Sequence, residues 1–229
     1  MQKSKSAKIL STSLNVAIFL MAFSGVILSM IFAVRDGYSH WLRRLMYFTQ
    51  QSNLWMGITA LLFAIALIKE PKSQGYFKAL TLLKFIFTVS ITVTGVIFCS
   101  VLAPFADYNV WTGESIITHV VVPILSVVSF FTDPYLDAPQ KKQVPLSLLP
   151  PLYYFIFSCV LCLLKVDFGR GVAYPYFFMD FYSEAGLFGF VGGWPPQFGS
   201  VYWIIFFLFF IWGLGLLYRT IKAKLLKNN

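Results

Sequence analysis

Six long apolar segments constrain the fold of this chain more than any other feature. They lie at 13–34, 47–68, 79–102, 115–131, 146–166 and 200–218. A helix of about 20 apolar residues crosses a hydrocarbon core, and because lipid offers the backbone no hydrogen-bond partners, each segment must be helical. The strict apolar–polar alternation of a transmembrane β-strand is missing. The sequence predicts an all-α integral membrane protein, a single six-helix domain over residues 1–229.

The composition excludes most other classes of protein. Hydrophobic residues make up 58% of the chain and charged residues 12%, against about half and about a quarter in a soluble domain. These values exclude a soluble enzyme, a disordered chain and a nucleic-acid-binding domain. The net charge of +9 does not indicate a nucleic-acid partner, because the positions of the basic residues along the chain explain it.

The basic residues predict the orientation of the helices. Twelve of the 18 fall before the first span, in the second and fourth loops, or after the last span: Lys3, Lys5, Lys8, Lys69, Lys72, Lys78, Lys141, Lys142, Arg219, Lys222, Lys224 and Lys227. The positive-inside rule then places both termini in the cytoplasm. Lys84 and Lys165 fall within spans, each near enough to a boundary for its ammonium to reach water.

A run of polar residues opens the second span, where an apolar side chain is the usual choice. It consists of Thr49, Gln50, Gln51, Ser52 and Asn53. Polar groups buried in a membrane without partners are costly. The run therefore predicts either a hydrogen-bonded knot between helices or a functional site.

His119 is the second unusual residue, four residues into the fourth span. The second and fourth spans enter from the same side, so Thr49 and His119 are expected at similar depth. A hydroxyl and an imidazole at one depth are suited to act as nucleophile and general base. Asn53, Ser52 and Gln50 are the candidate donors to an oxyanion or a substrate.

Other groups on this side are expected to play smaller parts. Most of the acidic residues there are expected in solvated loops, while Glu114 and Asp180 are candidates to orient the second ring nitrogen of His119. Two histidines at different depths fall short of a three-ligand zinc centre. We therefore predict no metal and no cofactor.

The fifth loop, 167–199, is the third unusual feature. It has few charges, many aromatic residues and several glycines. Such a segment is expected to lie on the membrane interface and cover the helix ends. It is either a lid over a lipid-facing site or an interfacial anchor.

Three motifs carry a resemblance to a known family: YFTQQSNLW at the second span, HVVVP at the fourth and YPYFFMDF before the sixth. In their order and spacing they resemble the Pr6Pr bacterial membrane proteins and the related FAR-17a family, the androgen-induced gene 1 and androgen-dependent TFPI-regulating protein-like proteins. One position departs from the pattern, because Ser52 stands where the relatives carry an asparagine.

The resemblance implies an intramembrane threonine hydrolase that cleaves a lipid ester, such as a fatty acid ester of a hydroxy fatty acid. It implies Thr49 as nucleophile and His119 as base, with a membrane lipid or lipid ester as partner. The first motif resembles those of bacterial proteins, which favours a bacterial inner (plasma) membrane as the location of this protein. Two alternatives stay open: a non-catalytic lipid- or sterol-binding protein, and a small-molecule transporter, for which the spans offer no coupling charges.

Overall fold

Six helices, each long and apolar enough to cross a membrane, make up most of the described structure. The structure is a computed structural model, and it describes residues 4–69, 74–106, 108–169, 171–192 and 197–228. The predicted all-α, six-helix membrane architecture is confirmed, and the chain is a multi-pass membrane protein. Arg170 and residues 193–196 of the predicted 167–199 loop lie outside the described residues.

We number the six helices α1 to α6 in chain order. Three are regular: α1 (Lys5–Phe32), α2 (Phe48–Lys69) and α6 (Ser200–Asn228). The other three change geometry along their length. The α3 helix joins Gln74–Ile97, a π-helix at Phe98–Leu102 and a 3-10 turn at Ala103–Phe105; α4 joins Gly113–Ile116, a π-helix at Ile117–Val121 and Val122–Thr132; α5 joins a 3-10 helix at Lys141–Leu148 and Leu149–Leu163.

The helices extend beyond the predicted spans where a capping or polar group supports further turns. The α1 helix begins eight residues before the predicted 13, because Ser4 caps it by accepting a hydrogen bond from the backbone N–H of Ala7. The α6 helix continues past the predicted 218 through a basic stretch. Lys165, predicted within the fifth span, instead lies just beyond the end of α5 and is exposed.

Short elements connect the helices at the end of the bundle opposite to the two termini, which we call the distal end. A 3-10 helix, Trp41–Met46, leads directly into α2. Between α5 and α6 lie a 3-10 turn, Phe177–Met179, and two short antiparallel strands, β1 (Phe190–Val191) and β2 (Gln197–Phe198). Of these elements, the turn Phe177–Met179 lies against the candidate site.

The α3 helix packs on α2, α4, α5 and α6, whereas its contacts with α1 are few. A core of aromatic and aliphatic side chains surrounds it, including Phe63, Phe85, Val89, Phe130 and Ile211. A second apolar layer, with Ile18, Met56, Ile91 and Val122 at its centre, joins α1 to α4 near mid-bundle. The distal end is therefore separated by apolar packing from the end that carries the termini.

Lys84 does not reach a boundary, so the prediction that it extends to water is wrong. Its side chain has no exposed surface, and its ammonium donates to the side-chain oxygen of Asn15 on α1. Nearby, the hydroxyl of Ser11 donates to the carboxylate of Asp133, and Lys222 Nζ lies 2.6 Å from the Asp133 backbone oxygen. A buried lysine persists in a membrane protein only with such partners, and they tie α1, α3, α4 and α6 together.

Candidate active site

Thr49 and His119 are in contact at the distal end of the bundle. Thr49 is the second residue of α2 and is buried, with 7% of its surface exposed. His119 lies in the π-helical part of α4, and its Nε2 is 3.1 Å from Thr49 Oγ1. The sequence placed these residues at one depth, and the tertiary structure brings them within hydrogen-bond distance.

The surroundings of the other ring nitrogen define the tautomer of His119. Its Nδ1 lies 2.9 Å from the backbone oxygen of Ser115, and the hydroxyls of Ser115 and Thr118 are 3.2 and 3.3 Å away. A carbonyl oxygen only accepts, so in the neutral ring the proton sits on Nδ1. The lone pair of Nε2 therefore faces Thr49, and the threonine hydroxyl donates to it.

Neither predicted acidic residue orients His119. Glu114 is five residues before His119 and on another helix face, whereas Ser115, four residues before it, shares its face. Asp180 accepts hydrogen bonds within its own turn instead, with its Oδ1 3.0 Å from the backbone N–H of Tyr182. The orienting group is a backbone carbonyl, which no side-chain pattern in the sequence reveals.

A local change of helix geometry places His119. The π-helix at Ile117–Val121 inserts one extra residue in the turn that carries the ring. Pro123 follows it and has no N–H to donate to the preceding carbonyls. The Thr118 oxygen instead accepts from the side-chain amide of Asn53, 3.1 Å away, which links α4 to α2.

The α3 helix forms one wall of the site and approaches α4 very closely. Phe98 begins the π-helix of α3 and stacks on the His119 ring, with 3.7 Å between centroids and 16° between planes. Gly95, one turn earlier, lies so near α4 that an added Cβ would be 2.7 Å from the His119 backbone oxygen. Glycine is required there by the close approach of the two backbones.

The three predicted oxyanion donors, Asn53, Ser52 and Gln50, are hydrogen-bonded to other groups of the protein. The side-chain amide of Asn53 donates to the backbone oxygens of Thr49 and Thr118, at 2.8 and 3.1 Å. Ser52 pairs with the Thr94 hydroxyl at 2.8 Å, and Gln50 donates to Ser29 Oγ at 3.2 Å. Residues three and four after Thr49 follow its helix face into the bundle. In this structure these side chains brace the helix, and their oxyanion role stays a prediction.

Tyr176 is a residue of the site that the sequence analysis did not single out. Its ring packs against those of Tyr47 and Tyr154, and its hydroxyl lies near the Thr49 side chain and the backbone N–H groups of Phe48 and Thr49. These N–H groups belong to the first turn of α2, where no preceding helical carbonyl can pair with them. Burial raises the pKa of Tyr176 to about 12, although these neighbouring groups act to lower it. The neutral phenol is therefore the form present at neutral pH.

The first and fifth loops close over the site together. Arg43 Nη1 is 2.5 Å from the backbone oxygen of Asp167, and the Tyr47 hydroxyl donates to that of Phe168 at 3.1 Å. The Tyr47 ring also packs edge-on against Tyr176, 5.9 Å between centroids. Arg43 and Tyr47, which precede α2, therefore hold the aromatic loop in place.

An open apolar cavity with a volume of about 120 Å³ adjoins Thr49. The lining comes from the first turn of α2, from α3, α5 and α6, and from the aromatic loop, and it includes Thr49, Ile97, Leu152, Tyr176, Trp203 and Phe207. Among the described residues, no charged side chain lines it. The loop thus covers a cavity, in keeping with the lid that was one of its two predicted roles.

Comparison of the chain with models of protein families, with curated proteins and with solved structures found no match.

Proposed function

We propose that this protein is an intramembrane hydrolase that cleaves a lipid ester, such as a fatty acid ester of a hydroxy fatty acid. Thr49 is the nucleophile and His119 the general base. The observation that carries the proposal is the 3.1 Å contact between Thr49 Oγ1 and His119 Nε2, with Nδ1 held on a carbonyl oxygen. This arrangement directs the lone pair of a neutral imidazole at the hydroxyl that it would deprotonate.

The first half of the reaction forms an acyl-enzyme. A threonine hydroxyl is a weak nucleophile until a base removes its proton during attack. As Thr49 Oγ bonds to the ester carbonyl carbon, its proton passes to His119 Nε2, which leaves a tetrahedral oxyanion. The carbon–oxygen bond to the alcohol then breaks, and the departing alkoxide takes the proton from Nε2.

The second half releases the acid. Water attacks the Thr49 ester and gives its proton to His119 Nε2, and collapse of the intermediate returns that proton to Thr49 Oγ. The products are an alcohol and a carboxylic acid. The distal position of the site, in the first turns of its helices, brings it near the membrane boundary, where water is available.

The first turn of α2 provides the best-placed hydrogen-bond donors for the oxyanion. The N–H groups of Phe48 and Thr49 have no preceding helical carbonyl to pair with, and they lie near the Tyr176 hydroxyl. A developing negative charge there gains from these donors and from the positive end of the helix dipole. Tyr176 supplies a third donor beside the same position.

The resemblance of the three sequence motifs to the FAR-17a family supports the same pair of residues, and a bacterial inner membrane is the location we propose. A lipid-binding protein without catalysis is the competing proposal, since the apolar cavity by itself requires no chemistry.

Labelling with a fluorophosphonate probe separates the two. The purified protein in detergent is compared with Thr49→Ala, His119→Ala and Thr59→Ala, the last removing a buried threonine further along the same helix. We expect labelling of the wild type and of Thr59→Ala, and loss of at least 100-fold in the other two. Equal labelling of Thr49→Ala, or an unlabelled folded wild type, would overturn the proposal in favour of a binding protein.

A further inference from the structure

The last two helices diverge toward the distal end. The 3-10 segment of α5, Lys141–Leu148, packs closely on α6, and both helices pack on α3. Beyond it, the α-helical part of α5, Leu149–Leu163, has no comparable packing on α6. Two helices joined at one end and separated at the other leave a wedge-shaped cleft, and the cavity beside Thr49 lies within it.

The outer faces of α5 and α6 carry large exposed apolar side chains, as helices in contact with lipid do. Tyr153 and Ile156 on α5 are 52% and 63% exposed, and Phe206 and Phe209 on α6 are 50% and 68% exposed. Leu152 both lines the cavity and is 36% exposed, so this wall reaches the outer surface. In a membrane protein, large apolar side chains exposed at mid-helix meet lipid tails rather than water.

The chemistry of the cavity changes along its length. From Trp203, near the distal end, to Ile211 the α6 wall is aromatic and aliphatic over eight residue steps, about 12 Å at 1.5 Å per residue. At the distal end, the wall also carries the hydroxyls of Thr49 and Tyr176. A ligand that suits both ends has a flexible hydrocarbon chain and one polar, uncharged acceptor group.

We infer that a lipid ester enters sideways from the bilayer through the cleft between α5 and α6. One acyl chain lies in the aromatic cavity, and the ester carbonyl lies at Thr49. This inference rests on the proposed hydrolase function. It specifies the substrate as an ester whose acyl part is one flexible hydrocarbon chain. The alcohol part of the substrate stays in the cleft mouth and leaves toward the bilayer after the first half-reaction.

The width of the cavity beside α3 then sets which chains fit. Val93 lines the cavity one turn from Ile97, away from the distal end, and is 7% exposed. Val93→Phe places a ring in the path of a long chain but leaves room for a short one. Val96→Phe is the matched control, since Val96 on the same helix is 40% exposed and faces outward.

Chain-length selectivity is the first readout. Hydrolysis of p-nitrophenyl butyrate and p-nitrophenyl palmitate is measured for wild type, Val93→Phe and Val96→Phe in detergent. We expect the ratio of kcat/KM for palmitate over butyrate to fall at least 10-fold in Val93→Phe alone, the size of effect that a hydrophobic pocket produces. An unchanged ratio in a folded Val93→Phe protein would overturn the inference.

Photocrosslinking tests the cleft without relying on catalysis. A Thr49→Ala protein in liposomes is irradiated with a methyl palmitate that carries a diazirine midway along its chain, and the labelled peptides are mapped by mass spectrometry. We expect labels on the cavity-lining side chains of α5 and α6, and a severalfold lower yield when Val93→Phe is added. Labels spread evenly over the exposed faces, including that of α1, would overturn the cleft. Labels in the cleft of a protein that hydrolyses neither ester would refute the hydrolase and leave the lipid route standing.

Discussion

The close approach of α3 and α4 at Gly95 gives the sharpest test of how the dyad is held. A Cβ added at Gly95 would lie 2.7 Å from the backbone oxygen of His119 and 3.1 Å from Pro123. Ordinary contacts begin at about 3.4 Å, so Gly95→Ala requires α4 to move away by 0.7 Å, the difference between 3.4 and 2.7 Å. Backbone atoms cannot avoid this contact by rotating, as a side chain would.

The expected effect on activity follows from the geometry of the pair. If His119 takes up the full displacement away from Thr49, their 3.1 Å separation grows to about 3.8 Å, which is beyond a hydrogen bond. A misplacement of about 1 Å costs roughly 100-fold in rate, so we expect Gly95→Ala to slow fluorophosphonate labelling by about 10- to 100-fold. Overpacking is also expected to lower the free energy of unfolding by about 1–3 kcal/mol.

Gly113→Ala is the matched control for this experiment. Gly113 begins α4, six residues before His119, and an added Cβ there meets nothing within 4 Å. We expect it to label at the wild-type rate. A Gly95→Ala protein that labels as fast as Gly113→Ala would refute the argument that this helix contact positions His119.

Two further substitutions test other parts of the structure. Tyr176→Phe removes the hydroxyl beside Thr49 and is expected to lower kcat by about 10- to 100-fold with little change in KM, since the lost donor acts on the oxyanion; an unchanged kcat in ester hydrolysis would exclude that role. Asn15→Leu removes the partner of the buried Lys84 ammonium and is expected to lower the free energy of unfolding by about 2 kcal/mol, measured by thermal denaturation in detergent. Fluorophosphonate labelling of the folded Asn15→Leu protein should stay near the wild-type rate, because an apolar layer separates the two ends; a large loss would contradict this separation.

The aromatic loop illustrates how far composition alone reaches. Its few charges and many rings predicted a segment that covers the helix ends, and Tyr176, Phe178 and Met179 do line the cavity beside Thr49. The motif YPYFFMDF drew attention to this part of the loop, but it did not distinguish Tyr176 from its aromatic neighbours. Its role depends on the position of one hydroxyl relative to the first turn of α2, which is set by packing far along the chain.

Lys84 shows the opposite case, in which a reasonable local rule fails. A lysine five residues inside a predicted span is within reach of a boundary by the length of its side chain. The helix, however, extends further than the apolar segment, and α1 places Asn15 against the ammonium. Burial with a partner was therefore decided by the neighbouring helix and not by distance along the sequence.

The sequence by itself determined the six apolar helices, because hydrocarbon leaves the backbone no other way to satisfy its hydrogen bonds. It also determined that Thr49 and His119 lie at one depth, because depth follows from position along a helix of known rise. The tertiary structure decided that they touch, which residue orients the histidine, and which helices part to form the cavity. These outcomes depend on two π-helical segments and on Gly95 at the crossing of α3 and α4, where the geometry of one helix is fixed by the surface of another.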